Sequence, residues 1–185
     1  SSITTSEDRP TVVSFGDAAG AVLLEPTEAD ETGIVDFALR SDGSGGKYLY
    51  MPAGGSQFPS SAETVRKKMH YVHQDGRNVF KHAVKGMVDI SNELLARYGL
   101  TVGDLKLYIP HQANLRIIQA AAEKLALKPS QVVVNIDRFA NTTAATIPIC
   151  ISEAFNDGRL APGDLVLLAS FGAGFTWGSL LVRWE

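Results

Sequence analysis

One cysteine, Cys150, stands in 185 residues. That excludes an intrachain disulfide and any zinc cage built from several cysteines, so no metal centre is expected. Nor is there an excess of basic charge: 17 Lys and Arg face 20 Asp and Glu, a net charge of -3. The basic residues are scattered, whereas a nucleic-acid surface shows a basic stripe, so no nucleic-acid partner is expected. Short clusters at Arg66-Lys67-Lys68 and at Lys81 with Lys85 are the local exceptions. No apolar run approaches membrane-spanning length and no signal-peptide pattern is visible, so the expected setting is cytoplasmic, without a membrane partner.

What is present is apolar residues, 45% of the chain, enough for one substantial core. The polar run Ser1-Ser2-Ile3-Thr4-Thr5-Ser6-Glu7-Asp8 opens without Met and reads as an interior loop of something longer. Apolar patterning predicts strands at 11–15 and 19–24, joined through Gly16-Asp17, and a third at 33–39. Residues 41–61, mostly Gly, Ser, Pro and Tyr, read as a long loop. A helix is expected at 79–98, where Val79, Ala83, Met87, Ile90, Leu94 and Leu95 recur near one face and Gly99 stops the run. Strand 106–109, helix 113–125, strand 132–134, helix 143–156 and strands 165–170 and 175–183 follow. This alternation predicts helices layered on a mixed α/β sheet.

The most informative stretch is Pro110-His111-Gln112-Ala113-Asn114. An apolar strand ends there and a helix begins, which places His111 at a strand's carboxyl end, a usual ligand position in open α/β sheets. On position alone, a core histidine satisfied by one backbone hydrogen bond is the competing reading. A second signal is an internal echo. Ser14-Phe15-Gly16, small residues and an apolar run reappear as Ser170-Phe171-Gly172, small residues and an apolar run. Chance hairpins or a duplicated half-domain would both produce it.

Five segments carry a resemblance: FGDAAGAVLLE (15–25), DGRNVFKHAV (75–84), PHQANLRI (110–117), DRFANTTAATIP (137–148) and SFGAGFTWGSLLVRW (170–184). In order and spacing they resemble the C-terminal half of the 3-oxoacyl-[acyl-carrier-protein] synthase III family. The resemblance implies a thiolase-like fold of two similar βαβαβαββ halves. Residues 1–30 would then be the closing hairpin of the N-terminal half, and 31–185 the C-terminal half. It further implies a homodimeric acyltransferase of type II fatty acid biosynthesis. Such an enzyme loads an acyl group from acyl-CoA, with acetyl-CoA the expected primer, onto a cysteine and condenses it with malonyl-acyl carrier protein, without a cofactor. The nucleophilic cysteine would belong to the N-terminal half, upstream of Ser1. Cys150, inside a predicted helix of small and apolar residues, reads as a buried hydrophobe rather than a replacement.

The resemblance also implies roles. His111 and Asn141 would donate hydrogen bonds to the malonyl thioester oxygen as it becomes an enolate, and no metal would take part. An Asn before Thr142-Thr143 is equally a helix cap, and the two roles are compatible. The Ala173 N–H would serve the oxyanion of the cysteine thioester, Phe171 would wall the site, and the turn around them is in any case a tight hairpin. Gly76 and Asn114 would meet the CoA pantetheine arm. Lys81, Arg116 and Lys124 would dock the acidic carrier protein, although a solvated helix face accounts for them too; Glu123 departs from the family's basic pattern there. The alternatives are a thiolase-fold relative with other substrates, such as a hydroxymethylglutaryl-CoA synthase-like or polyketide starter enzyme, and a non-catalytic partner subunit.

Overall fold

The chain's structure, a computed structural model, describes residues 3–5, 7, 12–27 and 32–185. Strands β1 (Gly33–Ser41), β4 (Leu107–Pro110), β5 (Leu165–Gly172) and β6 (Thr176–Arg183) form a sheet ordered β1-β6-β5-β4. Strand β4 runs parallel to β5, and the β1–β6 and β5–β6 pairs are antiparallel. A two-residue pair, β2 (Leu49–Tyr50) with β3 (His73–Gln74), stands apart. The helices are α1 (Ala62–Arg66), α2 (Gly76–Arg97), α3 (Leu115–Lys124), α4 (Ile136–Phe139) and α5 (Thr146–Asn156).

Local chemistry sets these elements. All four residues of β4 are buried, as a near-continuous apolar strand covered on both faces must be. Asp75 caps α2 by accepting from the Asn78 N–H at 3.1 Å, and Gly99, at φ +63°, ends it in a conformation other residues resist. The apolar stripe expected along α2 is buried: Val79, Ala83, Met87, Ile90, Leu94 and Leu95. With α3 it packs on one side of the sheet, around Tyr108, Leu167 and Leu181. On the other side Cys150 and Ala154 of α5 pack against Leu107, Ile109 and Val166. The result is helices on both faces of a mixed sheet, each buried Leu or Ile contributing about 1.5–3 kcal/mol.

Three expectations change. Residues 132–134 form a single parallel bridge, Tyr108 to Val132, rather than a strand. The Gln112 side chain takes over the pairing. It is fully buried, donates to the Pro110 and Val133 carbonyls at 2.8 and 3.2 Å, and accepts from the Asn135 N–H at 3.0 Å. The expected strand at 19–24 carries no strand pairing, and Val22, Leu23 and Leu24 are exposed. A strand exists by its ladder, and no described segment offers one there. In the expected strand at 11–15, residues 12–14 are helical or turn and Phe15 makes one bridge, to Asn141. Its first residue, Thr11, and the expected boundary between residues 30 and 31 lie outside the described residues.

The long loop holds more order than expected, with a 3₁₀ turn at Gly43–Tyr48 and strand β2 inside it and helix α1 just beyond its end. Gly45 is required there: a Cβ would lie 2.1 Å from the Phe175 ring. No described helix is long and apolar enough to cross a membrane.

Candidate active site

Parallel β4 and β5 end side by side, and the chain's polar chemistry collects at those ends. The His111 N–H extends the ladder by donating to the Ala169 carbonyl at 2.8 Å, which seats the ring above the end of β5. There a cavity of about 460 Å³ is lined by His111, Asn114, Asn141 and residues 170–173. Its apolar wall is Val79, Ala83 and Met87 from α2, with Ile117 from α3. Ser14 and Phe15 line it as well, so both members of the Ser-Phe-Gly echo face one cavity.

Asn141 is held from three directions. Its N–H donates to the Ser14 carbonyl at 2.9 Å and its carbonyl accepts from the Gly16 N–H at 3.0 Å. Gly16 is needed for this approach, because a Cβ would lie 2.4 Å from the Phe139 oxygen. The Asn141 side-chain oxygen accepts from the Thr143 N–H at 2.9 Å, a local turn bond rather than the expected helix cap, since Thr142 and Ala145 hold the N-cap positions that follow. A backbone N–H can only donate, so the atom facing it is the oxygen, and the Asn141 NH₂ is directed elsewhere. Ala140 and Thr143 on either side adopt positive φ, +59° and +54°. Such backbone costs roughly 1–3 kcal/mol per residue and gathers at functional sites.

His111 Nδ1 lies 2.7 Å from the Thr146 hydroxyl, leaving Nε2 as the ring nitrogen for a ligand. Burial lowers the imidazole pKa from 6.5 to about 4, so the ring is neutral at physiological pH. The unfolded chain takes up this proton near pH 6.5 and the folded chain only near 4. Between those values the unfolded state binds more protons. The stability contributed by neutral His111 is therefore complete above pH 6.5 and lost as pH falls toward 4. Denaturant titrations at stepped pH are expected to show that loss in the wild type and a flatter profile in His111→Gln.

The turn after β5 is fixed by aromatic packing and backbone bonds. Phe171 and Phe175 stack tilted, 4.8 Å between centroids, and Phe175 exchanges two hydrogen bonds with Asp42, at 2.7 and 2.8 Å. Gly174 sits at φ +139°, and a Cβ there would meet Thr176 at 2.8 Å. Ala173 is exposed on the cavity side of this turn, and the buried Phe171 lines the cavity.

The remaining expected site residues are dispersed. Asn114 lines the cavity while its side-chain oxygen caps α3 through the Arg116 N–H at 2.9 Å. Gly76, the first residue of α2, is exposed and outside the lining, although Gln74 and Val79 on either side belong to it. Lys81, Arg116 and Lys124 are exposed on α2 and α3. Arg116 stands at the cavity end of α3, whereas Lys124 lies at the other end, about 12 Å along the axis. Cys150 is buried, and that burial pushes its thiol up to about 12, so it is no thiolate. Among the described residues no group of three His, Cys, Asp or Glu could hold a metal ion. Gln112, Thr143 and Thr146 went unnoticed as site residues in the sequence; the visible signal was a polar side chain within each of two apolar stretches.

Fold and cavity together define a thiolase-like α/β protein. A family model for the 3-oxoacyl-[acyl-carrier-protein] synthase III C terminus matches residues 95–184, and one for 3-oxoacyl-[acyl-carrier-protein] synthase III matches residues 1–43. The chain is 53% identical over 178 residues to a beta-ketoacyl-[acyl-carrier-protein] synthase III of Koribacter versatilis, covering 96% of this chain and 54% of that protein. The solved 3-oxoacyl-[acyl-carrier-protein] synthase III of Pseudomonas aeruginosa superposes with a TM-score of 0.89 at 38% identity, over 100% of this chain and 56% of that one. The enzyme of the same name from Aquifex aeolicus gives 0.87 at 38%, over 99% and 54%. The chain belongs to the 3-oxoacyl-[acyl-carrier-protein] synthase III family. It spans about half the length of the curated relatives it matches.

Proposed function

We propose that this chain carries the malonyl-handling half of the active site of a condensing acyltransferase. The enzyme joins an acyl-CoA primer, acetyl-CoA by resemblance, to malonyl-acyl carrier protein. The observation that carries the reading is that His111 and Asn141 line one cavity, with the amide oriented by Thr143 so that its NH₂ is free to donate. Decarboxylation breaks the bond between C2 and the carboxylate of the malonyl thioester, releases carbon dioxide, and leaves the electron pair as an enolate on C2 and the thioester oxygen. Two preorganised donors at that oxygen act on charge that develops only along the reaction, which lowers the barrier. C2 then attacks the acyl-cysteine carbonyl, and the tetrahedral oxyanion is met by the Ala173 N–H in the turn walled by Phe171. Collapse expels the cysteine thiolate and yields a 3-oxoacyl thioester.

Cys150 cannot serve as that thiolate, so the nucleophile comes from residues outside this chain. The N-terminal half is also the occupant that suits the open side of the sheet. Phe37 and Leu39 are 57% and 67% exposed there, beside a cleft of about 600 Å³, and burying such side chains against a partner surface is favourable. Asn114, with Gly76 near the cavity entrance, would guide the pantetheine arm. Arg116 and Lys81 suit the carrier protein better than Lys124 does, being nearer the cavity end of their helices. The assembled unit is expected to be a homodimer.

The test is incubation of the complete enzyme with acetyl-CoA and malonyl-carrier protein, followed by mass spectrometry of the carrier. Acetoacetyl-carrier protein is the expected product. Its absence with acetyl-CoA, but formation of a longer 3-oxoacyl product from other acyl-CoAs, would change the primer and keep the reaction. No condensation with any primer would favour the partner-subunit alternative.

A further inference from the structure

The proposed reaction needs His111 to donate from Nε2, which a neutral imidazole does in only one of its two tautomers. Burial keeps the ring neutral down to about pH 4, so a doubly protonated imidazolium, able to donate from both nitrogens, is not available near neutrality. Selection of the tautomer therefore falls to whatever touches Nδ1.

That neighbour is Thr146, the first residue of α5 and 2% exposed. Its Oγ1 lies 2.7 Å from Nδ1 and 3.0 Å from the Thr143 carbonyl. One hydroxyl proton serves one of these at a time. Directed to Thr143, it would require Nδ1 to carry the ring proton and would leave a bare lone pair at Nε2. Directed to Nδ1, it leaves the proton on Nε2. The Thr143 carbonyl already accepts from the Thr146 N–H, so turning the hydroxyl away leaves no unpaired carbonyl. The 2.7 Å separation fits either direction, so the choice of donor follows from the Nε2–H that the proposed reaction needs. Thr143 thus braces both side chains: its N–H orients the Asn141 amide, and its carbonyl anchors the turn that presents Thr146 to His111.

We propose that Thr146 is a positioning residue that donates its hydroxyl proton to Nδ1 of His111 and so holds the ring as the Nε2–H tautomer that the proposed condensation requires. The inference rests on that reaction. It explains why a hydroxyl-bearing residue occupies a buried site at the start of a helix whose first turns, Ile147 to Ile151, are otherwise apolar.

The test is ¹⁵N NMR of the complete enzyme labelled at histidine, with His111 assigned by the signal missing from His111→Asn. The wild type is expected to show an unprotonated Nδ1 and a protonated Nε2. Thr146→Ser keeps this pattern and near wild-type turnover. Thr146→Val moves the two nitrogen signals toward each other as tautomers exchange, and lowers condensation roughly 10-fold to 100-fold, by analogy with loss of the partner that orients a metal-ligating imidazole. Thr146→Ala gives the same result should valine disturb packing. A protonated Nδ1 in the wild type, or unchanged signals and turnover without the hydroxyl, overturns the assignment even where condensation is observed. Conversely, the expected tautomer pattern in an enzyme that condenses nothing overturns the reaction and leaves Thr146 in place.

Discussion

Replacing His111 by Ala in the complete enzyme is expected to slow carbon dioxide release from malonyl-carrier protein about 100-fold to 1000-fold, the usual effect of deleting one preorganised donor at a developing oxyanion. Transfer of the acyl group from acyl-CoA to the nucleophilic cysteine should continue, because the donor proposed for that step is the Ala173 N–H in a separate turn. The backbone bond from residue 111 to Ala169 does not depend on the side chain, so loss of activity would not be loss of fold. Intact-mass detection of the acyl-enzyme, beside a radiometric assay of carbon dioxide release, separates the two steps. Normal condensation in His111→Ala would remove His111 from the chemistry.

Asn141→Asp is the sharper variant for the second donor. The shape is kept, and so is the oxygen that accepts from the Thr143 N–H, so the turn should hold and the melting temperature change little. What disappears is the NH₂. In its place stands a carboxylate oxygen, which accepts and carries negative charge beside an oxyanion. Loss of donation and added repulsion together are expected to reduce condensation by at least about 100-fold. Wild-type turnover in Asn141→Asp would show that residue 141 acts only in holding the turn through the Thr143 N–H.

Both variants act on an arrangement that could be read in outline from the chain alone. The stripe on α2, the buried run of β4, the paired strands β5 and β6 and the small-residue turn between them follow from period and turn chemistry, which are local. His111 was legible because a strand-to-helix junction is marked by Pro110 and by the cap Asn114. Gln112 was not. A buried amide that replaces ladder bonds at residues 132–135 becomes visible only once those residues lie beside β4. Residues 19–24 erred in the opposite direction: their apolar pattern is that of a strand, but pairing needs a neighbour and no described segment supplies one.

The sequence by itself determined the long helix α2, the main-sheet strands β1, β4, β5 and β6 and a histidine at the sheet's carboxyl edge, along with a lone cysteine unsuited to be a thiolate, because each depends on residue type and short spacing. Only the tertiary structure decided how Asn141 faces the cavity and what touches Nδ1 of His111. Those depend on contacts across gaps of 35 residues, from His111 to Thr146, and longer, from Ser14 to Asn141. Such bonds form only after the sheet has aligned its strand ends, and no spacing rule within the chain encodes them.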